Sequence, residues 1–175
     1  MCQTLDVTLH EWTVASALIE RDGELLLVRN VRQGGREDWS TPGGVIDQGD
    51  PSILDGLARE VHEETGLRIT RWDGLVYEVV AVAADLGWRM RCEVHLVAEY
   101  EGEVFIDDPD GIVVEANFYG PAHADGLLLN CPAWVREPIS EWINQRWDHA
   151  SQAEPRRYEY AVGGTRRSDL VVKRC

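Results

Sequence analysis

Three carboxylates and one arginine fall within six consecutive residues, Arg59-Glu60-Val61-His62-Glu63-Glu64. On a helix, Glu60 and Glu64 stand one turn apart, and so do Arg59 and Glu63. Like charges at that spacing repel by a few tenths of a kcal/mol per pair, and Arg59 offsets only part of this. The stretch therefore requires a positive partner. Carboxylate oxygens are hard ligands that suit Mg²⁺, Mn²⁺ or Ca²⁺, and no Cys/His cluster in the sequence favours zinc. Such a cation can neutralise a diphosphate, lower the pKa of bound water and orient an in-line attack on phosphorus.

The elements around this stretch must place it. Asp50-Pro51-Ser52 reads as a helix start, with Asp50 as N-cap and Pro51 at the first helical position. The helix should run to about Thr65 and end at Gly66. Leu54, Leu57, Ala58 and Val61 give it an apolar stripe at i, i+3, i+4, i+7. Ahead of it, residues 12–19 and 24–29 read as the strands of a hairpin turning at Arg21-Asp22-Gly23. Residues 31–41 read as a polar loop, and Pro42-Gly43-Gly44 punctuates the chain. After it, residues 75–84 read as a central strand. Residues 88–100 alternate, with Trp88, Met90, Cys92, Val94 and Leu96 on one face. Residues 101–115 are acidic and contain the turn Asp108-Pro109-Asp110-Gly111, and residues 116–119 form a short strand. Pro138 is expected to open a last helix with Ile139, Trp142, Ile143 and Trp147 inward. The tail, 156–175, reads as two short strands around Gly163-Gly164. Interleaved strands and helices place the fold in the α/β or α+β class.

The sequence resembles the Nudix hydrolase family, of the MutT-like kind. The family signature is Gly, five residues, Glu, seven residues, then Arg-Glu-aliphatic-x-Glu-Glu-x-Gly-aliphatic. Gly44 matches the first glycine. Arg59, Glu60, Val61, Glu63, Glu64, Gly66 and Leu67 match the whole second half. Two departures stand out: Asp50 replaces the first glutamate, and eight residues rather than seven separate it from Arg59. An extra residue turns a helix by about 100°, so the insertion is expected to be absorbed before the helix, near Gly49-Asp50-Pro51. The resemblance implies an α/β fold, a mixed β-sheet sandwiched between α-helices. It implies one domain over 1–175, with its core at about 12–148 and a C-terminal two-strand extension at 156–175. It implies Mg²⁺ or Mn²⁺ held by Glu60, Glu64 and the Gly44 carbonyl. Glu63 would be a further ligand or help to activate water, Arg59 would orient the carboxylates, and Glu115 would be the general base, ahead of Asp108 and Asp110. The activity implied is hydrolysis of a diphosphate linkage in a nucleoside diphosphate derivative: an ADP-sugar, a nucleoside triphosphate or a dinucleotide. The alternatives are a non-catalytic nucleotide sensor and an isoprenoid diphosphate isomerase on the same fold. Trp39, Tyr77 and Trp12 are candidates for stacking on a base. Arg29, Arg32 and Arg36 are candidates for contact with phosphate or ribose.

Composition bounds the partners. The chain has 175 residues, 17 basic and 31 acidic, for a net charge of −14. That balance argues against nucleic-acid polymers and anionic membranes, whose affinity comes from Lys and Arg. A small-molecule substrate, and a monomer or homodimer, are the expectation. Thirteen of the acids fall in residues 47–64 and 99–115, the segments expected to face a cation. There the charge would reach phosphate through the cation rather than repel it. Four scattered cysteines, no apolar span of bilayer length and an N-terminus without a basic or long apolar region point to the cytoplasm.

Overall fold

The computed structural model describes residues 9–165 and 170–175. Cys2, with the rest of the N-terminal octet, and part of the Gly163-Gly164 turn region lie outside those residues. Strand β1 (His10–Leu18) sends Ala15 and Ala17 to one apolar cluster and Leu18 to another. The chain then turns through β2 (Glu20–Arg21) into β3 (Glu24–Arg32) at Asp22 and Gly23, both at positive φ. The expected hairpin is therefore β2–β3, not β1–β3. Strand β1 instead pairs parallel with β7 (Trp88–Glu101) and antiparallel with β5 (Gly43–Val45), in a different sheet from β3. A strand that changes sheet at Ile19 keeps the apolar pattern of a hairpin arm, which is why pattern alone misassigned its partner.

The polar stretch expected as a loop holds a strand, β4 (Arg36–Ser40), which pairs antiparallel with β3. Its turn contains Gly34 and Gly35, at φ 87° and 74°. Polar sequence hid the strand because its side chains serve a charged network rather than the core. Strand β6 (Arg68–Ala83) begins earlier than expected and pairs with β7, while β8 (Val113–Tyr119) pairs with β3. In the tail, β9 (Arg156–Gly163) pairs parallel with β6, and β10 (Val171–Arg174) pairs antiparallel with β9. The result is a mixed sheet in the order β10-β9-β6-β7-β1-β5 beside an antiparallel sheet centred on β3.

Helix α1 (Ile53–Thr65) covers one side of the strands and buries Leu57 and Val61 completely against Ala15, Ala17, Ile19 and Leu26. Helices α2 (Pro121–Leu128) and α3 (Ala133–Gln145) contribute Ala124, Leu128, Ile139, Trp142 and Ile143 to the other cluster. The fold is thus α/β with helices on both sides of the strands. Two helix starts differ from expectation. Ser52 caps α1, its Oγ accepting from the Asp55 N–H at 3.1 Å, and Pro51 precedes the helix. Pro138 sits inside α3, which begins five residues earlier after Pro132. Among the described residues, no helix is long and apolar enough to cross a membrane.

Candidate metal and phosphate site

Two elements meet at the acidic run. Helix α1 ends at Gly66, at φ 74°, whose N–H closes the last turn on the His62 carbonyl. The buried side of α1 holds it against β1 and β5, which brings Glu60 and Glu64 to Gly43 and Gly44. Gly43 has φ 143°, and a Cβ there would lie 2.2 Å from the Ala15 carbonyl oxygen. At Gly44 a Cβ would lie 2.5 Å from Glu60 Oε2, so the glutamate can approach this strand only because the residue is glycine. The Gly43 N–H donates to Glu64 Oε2 at 2.8 Å.

Arg59 organises the remaining carboxylates. Its Nη1 donates to Glu60 Oε1 at 2.8 Å and to Glu63 Oε2 at 3.2 Å, along the helix. Its Nε and Nη2 donate to Asp50 Oδ1 and Oδ2 at 3.3 and 3.1 Å. Asp50 therefore sits before the helix, in the turn where the additional residue falls, with its carboxylate carried back to Arg59. A further N–H, from Asp47, donates to Asp50 Oδ2.

Burial raises the pKa of Glu64 to about 8, against the Gly43 N–H, with the charges of Glu60 and Asp108 adding to the rise and Arg32 opposing it. Burial also raises Glu60, although Arg59 opposes the shift; the charges of Glu63 and Asp110 add to it. Nearby positive charge thus does not offset the burial of Glu64, and Arg59 offsets that of Glu60 only in part. Among the described residues no three His, Cys, Asp or Glu side chains form a ready-made metal site, and Arg59 stands between Asp50, Glu60 and Glu63. The donor set of carboxylates is nevertheless all oxygen and anionic. It fits a hard divalent cation, and a cation would offset the shortage of positive charge at Glu64.

Other sequence candidates group elsewhere. Trp39, Arg29 and Glu115 are cross-strand neighbours on β4, β3 and β8 and share one face. Arg29 donates to Glu115 Oε2 and to Glu37 Oε2, each at 3.0 Å, and Tyr119 Oη donates to Glu115 Oε1 at 2.7 Å. Phe118, three residues on, packs with the α1 cluster, so Glu115 faces away from α1 and is not brought to Glu60 and Glu64. Trp39 is half-buried, with its ring edge-on to Tyr119 at 5.5 Å. Tyr77 corrects the stacking expectation: it is 2% exposed and packs against Tyr158 and Trp147, leaving no face for a base. Trp12 remains 42% exposed beside His10.

The turn at residues 108–111 adds two acids whose charges act on the glutamates, Asp108 on Glu64 and Asp110 on Glu60. Asp108 is occupied there, accepting the N–H groups of Asp110, Ile112 and Val113. Of the three arginines expected at phosphate or ribose, Arg32 is the one whose charge acts on Glu64. The signal that sets it on a strand is the Gly-containing three-residue connection that makes residues 31–41 a hairpin.

Comparison with known proteins agrees with this fold. A model of the NUDIX domain matches residues 9–143. A MutT-like protein of Streptomyces ambofaciens is 43% identical over 61 residues, which are 35% of this chain. The chain spans 37% of the length of that curated relative. The crystal structure of a MutT NUDIX hydrolase from Burkholderia pseudomallei aligns with a TM-score of 0.56 at 26% identity, covering 65% of this chain and 85% of that one. A NUDIX hydrolase from Nitrosomonas europaea aligns with a TM-score of 0.64 at 16% identity, over 93% and 84% of the two chains, a likeness of fold alone.

Proposed function

The chain belongs to the Nudix family, and on that premise we propose that it is a hydrolase, dependent on Mg²⁺ or Mn²⁺, that cleaves a diphosphate linkage in a nucleoside diphosphate derivative. The observation that carries this reading is Glu64, a half-buried carboxylate whose charge is disfavoured by desolvation and by Glu60, with the Gly43 N–H at 2.8 Å as its hydrogen-bond donor. Glu60, Glu64 and the Gly44 carbonyl are assigned to hold the cation, with Glu63 as a further ligand or an aid to water. Bound there, the cation supplies Lewis-acid polarisation of phosphate and a more acidic water.

The chain's own groups do the rest. Arg59 fixes the rotamers of Glu60 and Glu63 and ties them to Asp50. Water attacks one phosphorus, releasing a nucleoside monophosphate together with a phosphorylated partner or pyrophosphate. Glu115, held by Arg29 and Tyr119, faces away from α1 and is not assigned to proton transfer. Trp39, half-buried on the same face, is kept as the candidate for stacking on a base.

The test is release of monophosphate from a panel of nucleoside triphosphates, ADP-sugars and dinucleotides, with and without Mg²⁺ or Mn²⁺. Wild type is expected to turn over at least one of them only with metal, and Glu64→Gln to lose about a hundredfold or more while still binding nucleotide. Absence of turnover on the whole panel, with binding intact, would instead make the protein a nucleotide sensor.

A further inference from the structure

We propose that Arg32 and Arg36 form a phosphate clasp that seats the far end of the substrate and selects derivatives whose second moiety carries phosphate of its own. The inference deepens the hydrolase reading and rests on it for its kinetic arm. Arg32 and Arg36 stand directly opposite each other across the β3–β4 hairpin. Like charges in that position repel and are expected only where something anionic lies between them. Asp38 supplies part of this, with its Oδ2 at 2.8 Å from Arg32 Nε and 3.8 Å from Arg36 Nη2. Asp38 also accepts from Asn30 Nδ2 at 3.0 Å, so one carboxylate serves two hydrogen-bond donors and a longer ion pair with Arg36. Two guanidinium groups thus share a single negative charge.

Arg29 shows the opposite balance, one guanidinium between the two carboxylates Glu37 and Glu115. A phosphate gains nothing by approaching Arg29, whereas it completes the charge at Arg32 and Arg36. The position agrees with the charge. An open cleft of about 870 Å³ has Arg32, Gln33 and Arg36 on one wall and Asp110, Gly111 and Ile112 on the other. The Asp107 N–H donates to the Glu63 carbonyl at 3.1 Å, so the segment that carries the Asp110 wall is tied to the helix that bears the proposed cation ligands. One wall is cationic and the other anionic. A phosphate chain that meets a cation on one side and a guanidinium fork on the other satisfies both. A neutral sugar in the same cleft would leave the second guanidinium unmatched.

The experiment titrates methylenediphosphonate, a diphosphate that resists hydrolysis, into the full-length protein in Mg²⁺, by calorimetry. The wild type is expected to bind, the Arg36→Gln variant at least threefold more weakly, and the Arg32→Gln/Arg36→Gln double variant at least tenfold more weakly. Arg36 is exposed on the hairpin, so the single variant keeps the result readable if the double variant does not fold. Wild-type affinity in Arg36→Gln, or no binding by the wild type, overturns the proposal. In the kinetic arm, the double variant should raise KM for a nucleoside triphosphate at least tenfold more than KM for an ADP-sugar. Equal losses on both overturn the selectivity. If the wild type turns over nothing on the whole panel, the hydrolase reading fails while the titration still decides the clasp.

Discussion

Arg59 grips Asp50 at two points, Nη2 to Oδ2 at 3.1 Å and Nε to Oδ1 at 3.3 Å, across nine positions of sequence. The Arg59 hydrogen bonds hold the Asp50 carboxyl below the usual carboxylate range. Asp50 thus acts on the site through Arg59 as a positioning residue. Asp50→Ala should lower kcat about tenfold, the usual scale for partners of metal-site residues. Gly56→Ala should act in the same direction, because a Cβ there would lie 2.6 Å from Asp50 Oδ2. Steady-state kinetics on both variants, with circular dichroism as a fold control, check this; unchanged kcat in Asp50→Ala refutes it.

The two adjacent glycines should respond differently to the same substitution. Gly43→Ala drives a Cβ into the Ala15 carbonyl from a backbone conformation that side chains rarely adopt, and should cost roughly 1–3 kcal/mol of stability. Gly44→Ala meets only the carboxylate end of the Glu60 side chain and no backbone, so the melting temperature should barely change while Mn²⁺ affinity falls. Thermal unfolding and a Mn²⁺ titration followed by electron paramagnetic resonance separate the two. Equal effects of both substitutions on stability and metal affinity would contradict the division of roles.

Trp39 and Tyr77 should also separate. Trp39→Ala is expected to raise KM for nucleotide roughly tenfold, within the energy range of a base stacked on an aromatic ring. Tyr77→Ala should instead cost roughly 3–5 kcal/mol of stability, as loss of a large buried ring does. Denaturant unfolding and Michaelis constants measured on both variants give the comparison, and a normal KM in Trp39→Ala removes it from the substrate site.

Acid stability offers a test remote from the site. Burial disfavours charge on Glu141, but Arg174 and Tyr158 bond to it, Arg174 and Arg156 attract it, and its pKa is lowered overall. A lowered folded-state pKa contributes stability above the ordinary glutamate range and loses it as pH falls through the folded value. Glu141→Gln should therefore be less stable than wild type at neutral pH, by up to about 1 kcal/mol for so accessible a pair. The difference should shrink as the pH falls below the ordinary glutamate range. Urea unfolding at neutral and acidic pH checks this; a gap that widens on acidification counts against it.

Much of this arrangement was legible in the sequence where local pattern and chemistry coincide. The apolar stripe of α1 and the stop at Gly66 fixed the helix, and the spacing within 59–67 grouped Arg59, Glu60, Glu63 and Glu64. What was illegible depended on contacts across long separations. Nothing local says that β1 leaves β3 for β7, that Asp38 bridges two arginines, or that Glu115 turns from α1. Proline misled twice, at Pro51 and Pro138, because its fixed φ suits a helix start without requiring one. Tyr77 misled because an aromatic residue in a strand reads the same whether it meets a ligand or the core.

The course of the chain between the two sheets has a consequence for assembly during synthesis. Strand β1 is made early, but its long partner β7 begins only at Trp88, and its other partner, β5, spans Gly43–Val45. Until β7 emerges, one edge of β1 has no native hydrogen-bonding partner, and long-range pairing of this kind slows folding. The first native partner available to β1 is the short strand containing Gly43 and Gly44. The glycines that admit Glu60 and Glu64 therefore also belong to the first native partner that the nascent strand meets.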